Sequence, residues 1–178
     1  MSTQLDKLKW FYDDHGDRFG AVGKLQAWSG YSYDMGDPRY QRELVELRLY
    51  DRSIEPPKGI TAALRDSYDW LVDHDQAIFE SVIASISSYF PKLKKQWVEF
   101  DDPYLRKIKK PEHLKTNLNL AYVKLFPHRR DGVPYIGFDF DCAWNSEGFK
   151  VLLHGLRVVE LDADELSISM IEEDGGSI

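Results

Sequence analysis

From Tyr135 to Cys142 the side chains alternate with a period of two. Ile136, Phe138, Phe140 and Cys142 fall on one side of an extended chain, and Tyr135, Gly137, Asp139 and Asp141 on the other. Such a segment is stable only as a strand with one face against an apolar layer. The chain must therefore supply both a sheet and something to cover it. The same alternation runs between Arg39 and Tyr50, where Val45, Leu47 and Leu49 oppose Leu44, Glu46 and Arg48. Leu8–Tyr12 and Gly20–Trp28, with the Asp13–Gly16 turn cluster between them, predict a hairpin. Leu118–Phe126 predicts a further strand, and Pro127–Gly132 reads as the turn that follows it. Val151–Leu153 and Leu156–Leu161 flank a His154-Gly155 turn and predict a last hairpin.

The cover comes from the middle of the chain. After Pro56-Pro57-Lys58-Gly59 the apolar period changes to about 3.6. Ile60, Leu64, Tyr68 and Leu71 mark one helix, with Thr61 as its N-cap. Asp73-His74-Asp75 interrupts it, and Ile78, Val82, Ile86 and Tyr89 mark a second helix that Pro91 is expected to end. The expectation is an α+β fold, an antiparallel sheet in one part or two, packed against a helical hairpin over residues 60–90. Around it lie N-terminal strands 7–52, a basic connector 92–117, C-terminal strands 118–161 and an acidic tail 162–178, of which Glu172–Gly176 reads as frayed.

The 178 residues are 43% hydrophobic and 30% charged, the balance of one globular domain over residues 1–178. No apolar run approaches the roughly 20 residues of a membrane span, and the N-terminus carries no secretory signal, so the expected location is cytoplasmic. One cysteine, Cys142, excludes an internal disulfide and any multi-cysteine metal site. The net charge of −7 is unevenly spread: residues 92–130 carry 11 basic and 4 acidic side chains, residues 131–178 carry 2 and 11. The acidic total argues against nucleic acid as the partner.

Asp139 and Asp141 share a strand face about 7 Å apart. Paired carboxylates at that spacing serve glycoside hydrolysis or hold a hard cation, and Glu147 could join them. Period-two alternation already places polar residues there, so the bland reading is a wet strand face. A binding version needs no catalysis: acids beside the aromatic anchors Tyr135 and Trp144 suit a basic partner. The five histidines form no metal-binding pattern. His74 and His154 read as turn residues, and His128 as part of a solvated loop. Cys142 follows the stripe of Phe138 and Phe140 inward and reads as an inert thiol. Lys92–Lys110, interleaved with Trp97 and Tyr104, could stack single-stranded nucleic acid, but Glu99, Asp101 and Asp102 interrupt the charge. No catalytic, metal or cofactor constellation stands out.

Three stretches carry a resemblance: Ile60–Leu64, Trp70–His74 with the second helix to Pro91, and above all Asp131–Trp144, followed by Val151, His154-Gly155 and Val158–Glu160. In these the chain resembles a bacterial family of domains of unknown function, members of which often sit near polymorphic-toxin and immunity loci. The chain departs from that family at Asn145–Lys150, where members usually carry an acidic stretch and a His-Gly pair, and at Leu161–Asp164, where members usually carry glycines. The resemblance implies a non-enzymatic cytosolic binding module, an immunity-type protein that neutralises a cognate toxin. Its recognition residues are then Asp139, Asp141, Trp144, Glu147 and Tyr135, and its partner a basic toxin domain such as a nuclease. The alternative is a small hydrolase working through Asp139 and Asp141.

Overall fold

The computed structural model describes residues 4–12, 19–31, 44–50, 54–56, 58–97, 109–110, 113–114, 117–142 and 145–178. Among these, seven strands form one sheet in chain order: β1 (Trp10–Tyr12), β2 (Phe19–Lys24), β3 (Leu44–Leu49), β4 (Leu118–Arg130), β5 (Val133–Cys142), β6 (Asn145–His154) and β7 (Arg157–Leu161). All neighbours are antiparallel except β3 and β4, which run parallel. A parallel pair requires a crossover connection. Helices α1 (Ala62–Asp73) and α2 (Asp75–Trp97) lie within that connection and cover one face of the sheet. The arrangement is α+β, as the change of period predicts.

The stripes point as their spacing requires. Val45, Leu47, Leu49, Val123, Leu125, Ile136, Phe138 and Phe140 meet Leu64, Tyr68, Leu71, Ile78, Val82 and Ile86 in one buried core. Thr61 caps α1, accepting from the Leu64 amide at 3.3 Å. The single residue His74 separates the helices; its ring bonds the Trp70 carbonyl at 2.9 Å and stacks on the Trp70 ring at 4.2 Å. From this corner the helices spread apart, α1 onto β4 and β5, α2 onto the 3-10 turn Gln26–Trp28 and β7. Trp28 in that turn is fully buried, stacked on Phe138 at 5.1 Å and edge-on to Phe79 at 5.1 Å. Asp75, the first residue of α2, holds the turn in place by accepting the Ala27 amide at 2.9 Å.

Several local expectations fail, each for an identifiable reason. Pro91 does not end α2, which continues to Trp97. Leu93, beyond the proline, is fully buried, and that packing outweighs the lost hydrogen bond. The turn after β4 is shorter than Pro127–Gly132: the strand runs through Arg130, and the reversal is Asp131-Gly132 alone, both at positive φ (52° and 77°). Asn145–Lys150, where the chain departs from the family it resembles, is the first half of β6, so that strand begins well before the predicted Val151. Cys142 is half-buried, since a register shift follows Phe140 where β5 meets β6. The acidic tail is folded, too. A third helix, α3 (Ile168–Glu173), is capped by Ser167 and buries Ile171 against the face opposite α1 and α2. Most of the basic connector, Tyr104 included, lies outside the described residues, as does the side chain of Trp97.

His128 is another departure. It sits inside β4 at 3% exposure, edge-on to Tyr50. Burial holds its imidazole below the ordinary value, against a smaller opposing pull from Glu172. The folded chain therefore favours the neutral ring. That contribution to stability is complete above the unfolded value of about 6.5 and is lost as pH falls below it toward the depressed folded value. His128→Phe is expected to flatten the decline in stability between about pH 7 and 5. Urea denaturation at each pH checks this, and parallel profiles for the two proteins would count against it.

A candidate recognition cleft on the uncovered sheet face

The face turned away from α1 and α2 has an apolar end and a polar end. At the apolar end Phe126, Tyr135 and Leu152 pack under Leu166 and Ile171 of the C-terminal segment. Gly137 permits this close cover: a Cβ there would stand 2.6 Å from a Leu166 methyl. At the polar end, strand register sets Glu46, Tyr122, Asp139 and Lys150 in one row across β3, β4, β5 and β6. Each neighbours a core residue along its own strand, so alternation turns it to this side.

The row is paired internally. The Tyr122 hydroxyl donates to Asp139 at 2.7 Å. The Lys150 ammonium lies 3.9 Å from the same carboxylate oxygen and donates to the Glu147 carbonyl at 3.0 Å. Arg48 bonds the Glu46 carboxylate and lies over the Tyr122 ring, 3.8 Å from its centroid. Burial would lower the Arg48 guanidinium; Glu46, with smaller help from Tyr122 and Asp139, more than offsets it, and the net displacement is upward. Over this row opens a cleft of about 390 Å³. Arg48, Tyr50, Tyr122, Asp139 and Lys150 line it from the sheet, and Asp164 and Glu165 from the segment after β7.

Further acids lie in or near the cleft. Glu147, Asp164 and Glu165 are exposed. Asp141 is exposed on the same strand face as Asp139; burial of its surroundings and the Asp139 carboxylate raise its pKa, while Arg48 and Lys150 pull it down. Asp162, whose amide bonds the Lys150 carbonyl at 2.9 Å, is also raised, by burial and by Asp164, against Lys92 and Lys150. Asp141 with Asp139, and Asp162 with Asp164, carry mutual repulsion that a nearby cation would relieve.

The residues singled out from sequence fare unequally. Asp139 lines the cleft at 9% exposure; Asp141 lies outside its lining but within the influence of Arg48 and Lys150, and Glu147 reaches it only through its backbone carbonyl on Lys150. The two aspartates thus share a strand face but not an environment. Tyr135 is no surface anchor: it is fully buried, and its hydroxyl donates to Asp174 at 2.8 Å. Burial and that carboxylate push its phenol up to about 12. Trp144 lies outside the described residues. Arg48, Tyr122, Lys150, Asp164 and Glu165 escaped sequence reasoning. Arg48 could be placed on the polar side of its strand, but its neighbours depend on cross-strand register, which a single chain does not spell out.

Among the described residues no three His, Cys, Asp or Glu side chains stand close enough together to hold a metal ion, and no helix is long and apolar enough to cross a membrane. No curated protein and no solved structure matches the chain. Residues 23–168, from the end of β2 to the start of α3, match the model of a family described as "Domain of unknown function (DUF6985)". With strands β3 to β7, both long helices and the row Glu46, Tyr122, Asp139 and Lys150 inside the matched stretch, this chain belongs to that family.

Proposed function

We propose that the chain is a non-enzymatic binding module of the cytoplasm, an immunity-type protein that neutralises a bacterial toxin with a basic contact surface. The observation that carries this reading is the acidic character of the cleft, with Asp164 and Glu165 lining it and Asp141 and Asp162 each crowded by a second carboxylate, over a floor whose own charges are already paired. A cationic partner relieves the repulsion among the rim acids and gains rate from their long-range field. The paired floor supplies shape and polarity without an acid or base held ready to move a proton. Co-expression with toxin-like genes encoded beside this one is expected to yield a stable complex and to restore growth; neither result from any such gene removes the reading.

The rim makes a quantitative expectation. Asp141→Lys, Asp164→Lys and Glu165→Lys combined should slow association with the basic partner by about tenfold or more, and weaken its dependence on salt. Stopped-flow mixing at two ionic strengths measures both, and an unchanged association rate would sink the steering argument. The rival reading, a small hydrolase using Asp139 and Asp141, draws on the place of Asp139 in the cleft. Asp139→Asn separates the two, since an enzyme loses turnover while a binding module has none to lose.

A further inference from the structure

At the apolar end of the same sheet face, Tyr135, Arg130 and Arg157 hold a carboxylate, and it is the chain's own Asp174. The buried Tyr135 hydroxyl donates to it at 2.8 Å, and Arg157 donates to the same oxygen at 2.5 Å. Arg130 donates to the Asp174 carbonyl at 2.6 Å and stands 3.8 Å from the carboxylate. Together these donors hold the Asp174 carboxyl below the usual carboxylate range, Arg157 foremost. His154 completes the wall, stacked on Tyr135 at 4.7 Å and bonded to the Arg130 carbonyl at 2.9 Å.

The backbone beyond Asp174 is held as a docked peptide is held. Gly175 turns at φ 89°, and Gly176 lies flat on Tyr135, where a Cβ would come within 2.7 Å of the ring. Ser177 then exchanges two backbone hydrogen bonds with Arg129, at 2.7 and 2.9 Å. It does so on the β4 edge past Leu125, where β3 has ended. A buried anchor for one carboxylate, a flat glycine crossing and a short stretch of open strand edge are the parts of a peptide-recognition groove. Every receptor residue lies within the family-matched stretch, whereas the occupant, residues 169–178, lies outside it.

We propose that this groove is a docking site for an acidic peptide segment of a partner protein, and that the chain's own C-terminal segment occupies it in cis. The segment it takes carries a carboxylate, then a residue pair without bulk, then a residue that pairs with the β4 edge. This surface is separate from the acidic rim, and the proposal stands whether or not the partner of the rim is a toxin.

The test uses a fluorescent peptide with the sequence of residues 168–178 and the full chain. The D174N chain, its own segment loosened, is expected to bind that peptide about tenfold or more tightly than the wild-type chain does. The same peptide carrying D174N should bind neither chain. In the wild-type chain, which needs no mutation to fold, excess peptide should speed hydrogen exchange at the Ser177 amide. Equal binding of the two peptides, or an exchange rate unmoved by saturating peptide, overturns the proposal. A concentration-dependent dimer of the wild-type chain with exchanged C-terminal segments overturns it in favour of a second copy as the occupant.

Discussion

Trp28→Ala is expected to remove about 3–5 kcal/mol of folding stability. Among the described residues Trp28 is the largest fully buried side chain, and three rings from two elements close on it: Phe79 of α2 and Phe138 and Phe140 of β5. Tyr31 stands edge-on at 6.4 Å. Alanine would leave a void bounded by aromatic rings that cannot collapse into it, because each is fixed by its own strand or helix. Against a total of roughly 5–15 kcal/mol for a chain of this size, the loss is severe. Trp28→Phe keeps most of the contact and should cost less than half as much. Urea denaturation followed by far-ultraviolet circular dichroism reads both, since that signal does not depend on the removed indole. A loss below about 1 kcal/mol would show that the cluster tolerates its own centre being emptied.

Gly148→Val should cost roughly 2–4 kcal/mol for a different reason. The backbone at Gly148 has φ 80°, a conformation that side chains disfavour. A Cβ there would stand 2.7 Å from the Phe140 carbonyl oxygen, which belongs to the neighbouring strand and cannot swing aside. The same glycine shapes the start of β6: its carbonyl accepts from the Asn145 side chain at 2.9 Å, while the Asn145 oxygen takes the Glu147 amide at 3.0 Å. Glu147 in turn holds Lys150 beside Asp139. The substitution is thus expected to lower the melting temperature and to weaken any ligand of the cleft together, whereas Glu147→Ala should leave the fold intact. Unchanged melting for Gly148→Val would mean that β6 can slide past Phe140.

Local pattern carried the architecture and missed the contacts made across it. The stripe from Ile136 to Cys142 and the helical spacing of Leu64, Tyr68 and Leu71 are properties of neighbours in the chain, so period alone reveals them. The N-cap at Thr61 is legible for the same reason. Pro91 misled because its cost is local while the gain at Leu93 is tertiary. The C-terminal segment looked frayed because its acids dominate the composition. Its anchoring rests on Ile171, Asp174 and Gly176 meeting Tyr135, a residue some forty positions earlier. Asp139 and Asp141 read alike in sequence, and only the register that brings Tyr122 and Lys150 to one of them sets them apart.

The parallel contact between β3 and β4, the one such contact among the described strands, has a kinetic consequence. Everything from Leu118 to Leu161 is a meander of neighbouring hairpins, and β1 to β3 is a second, smaller one. The larger one can zip from its own short reversals at little loop-closure cost, whereas β3 reaches β2 only after residues 25–43. Joining them demands that Glu46 find Tyr122 across the long stretch that includes both helices. That seam is where the chain's contact order concentrates, and it sets the pace at which the whole sheet becomes continuous.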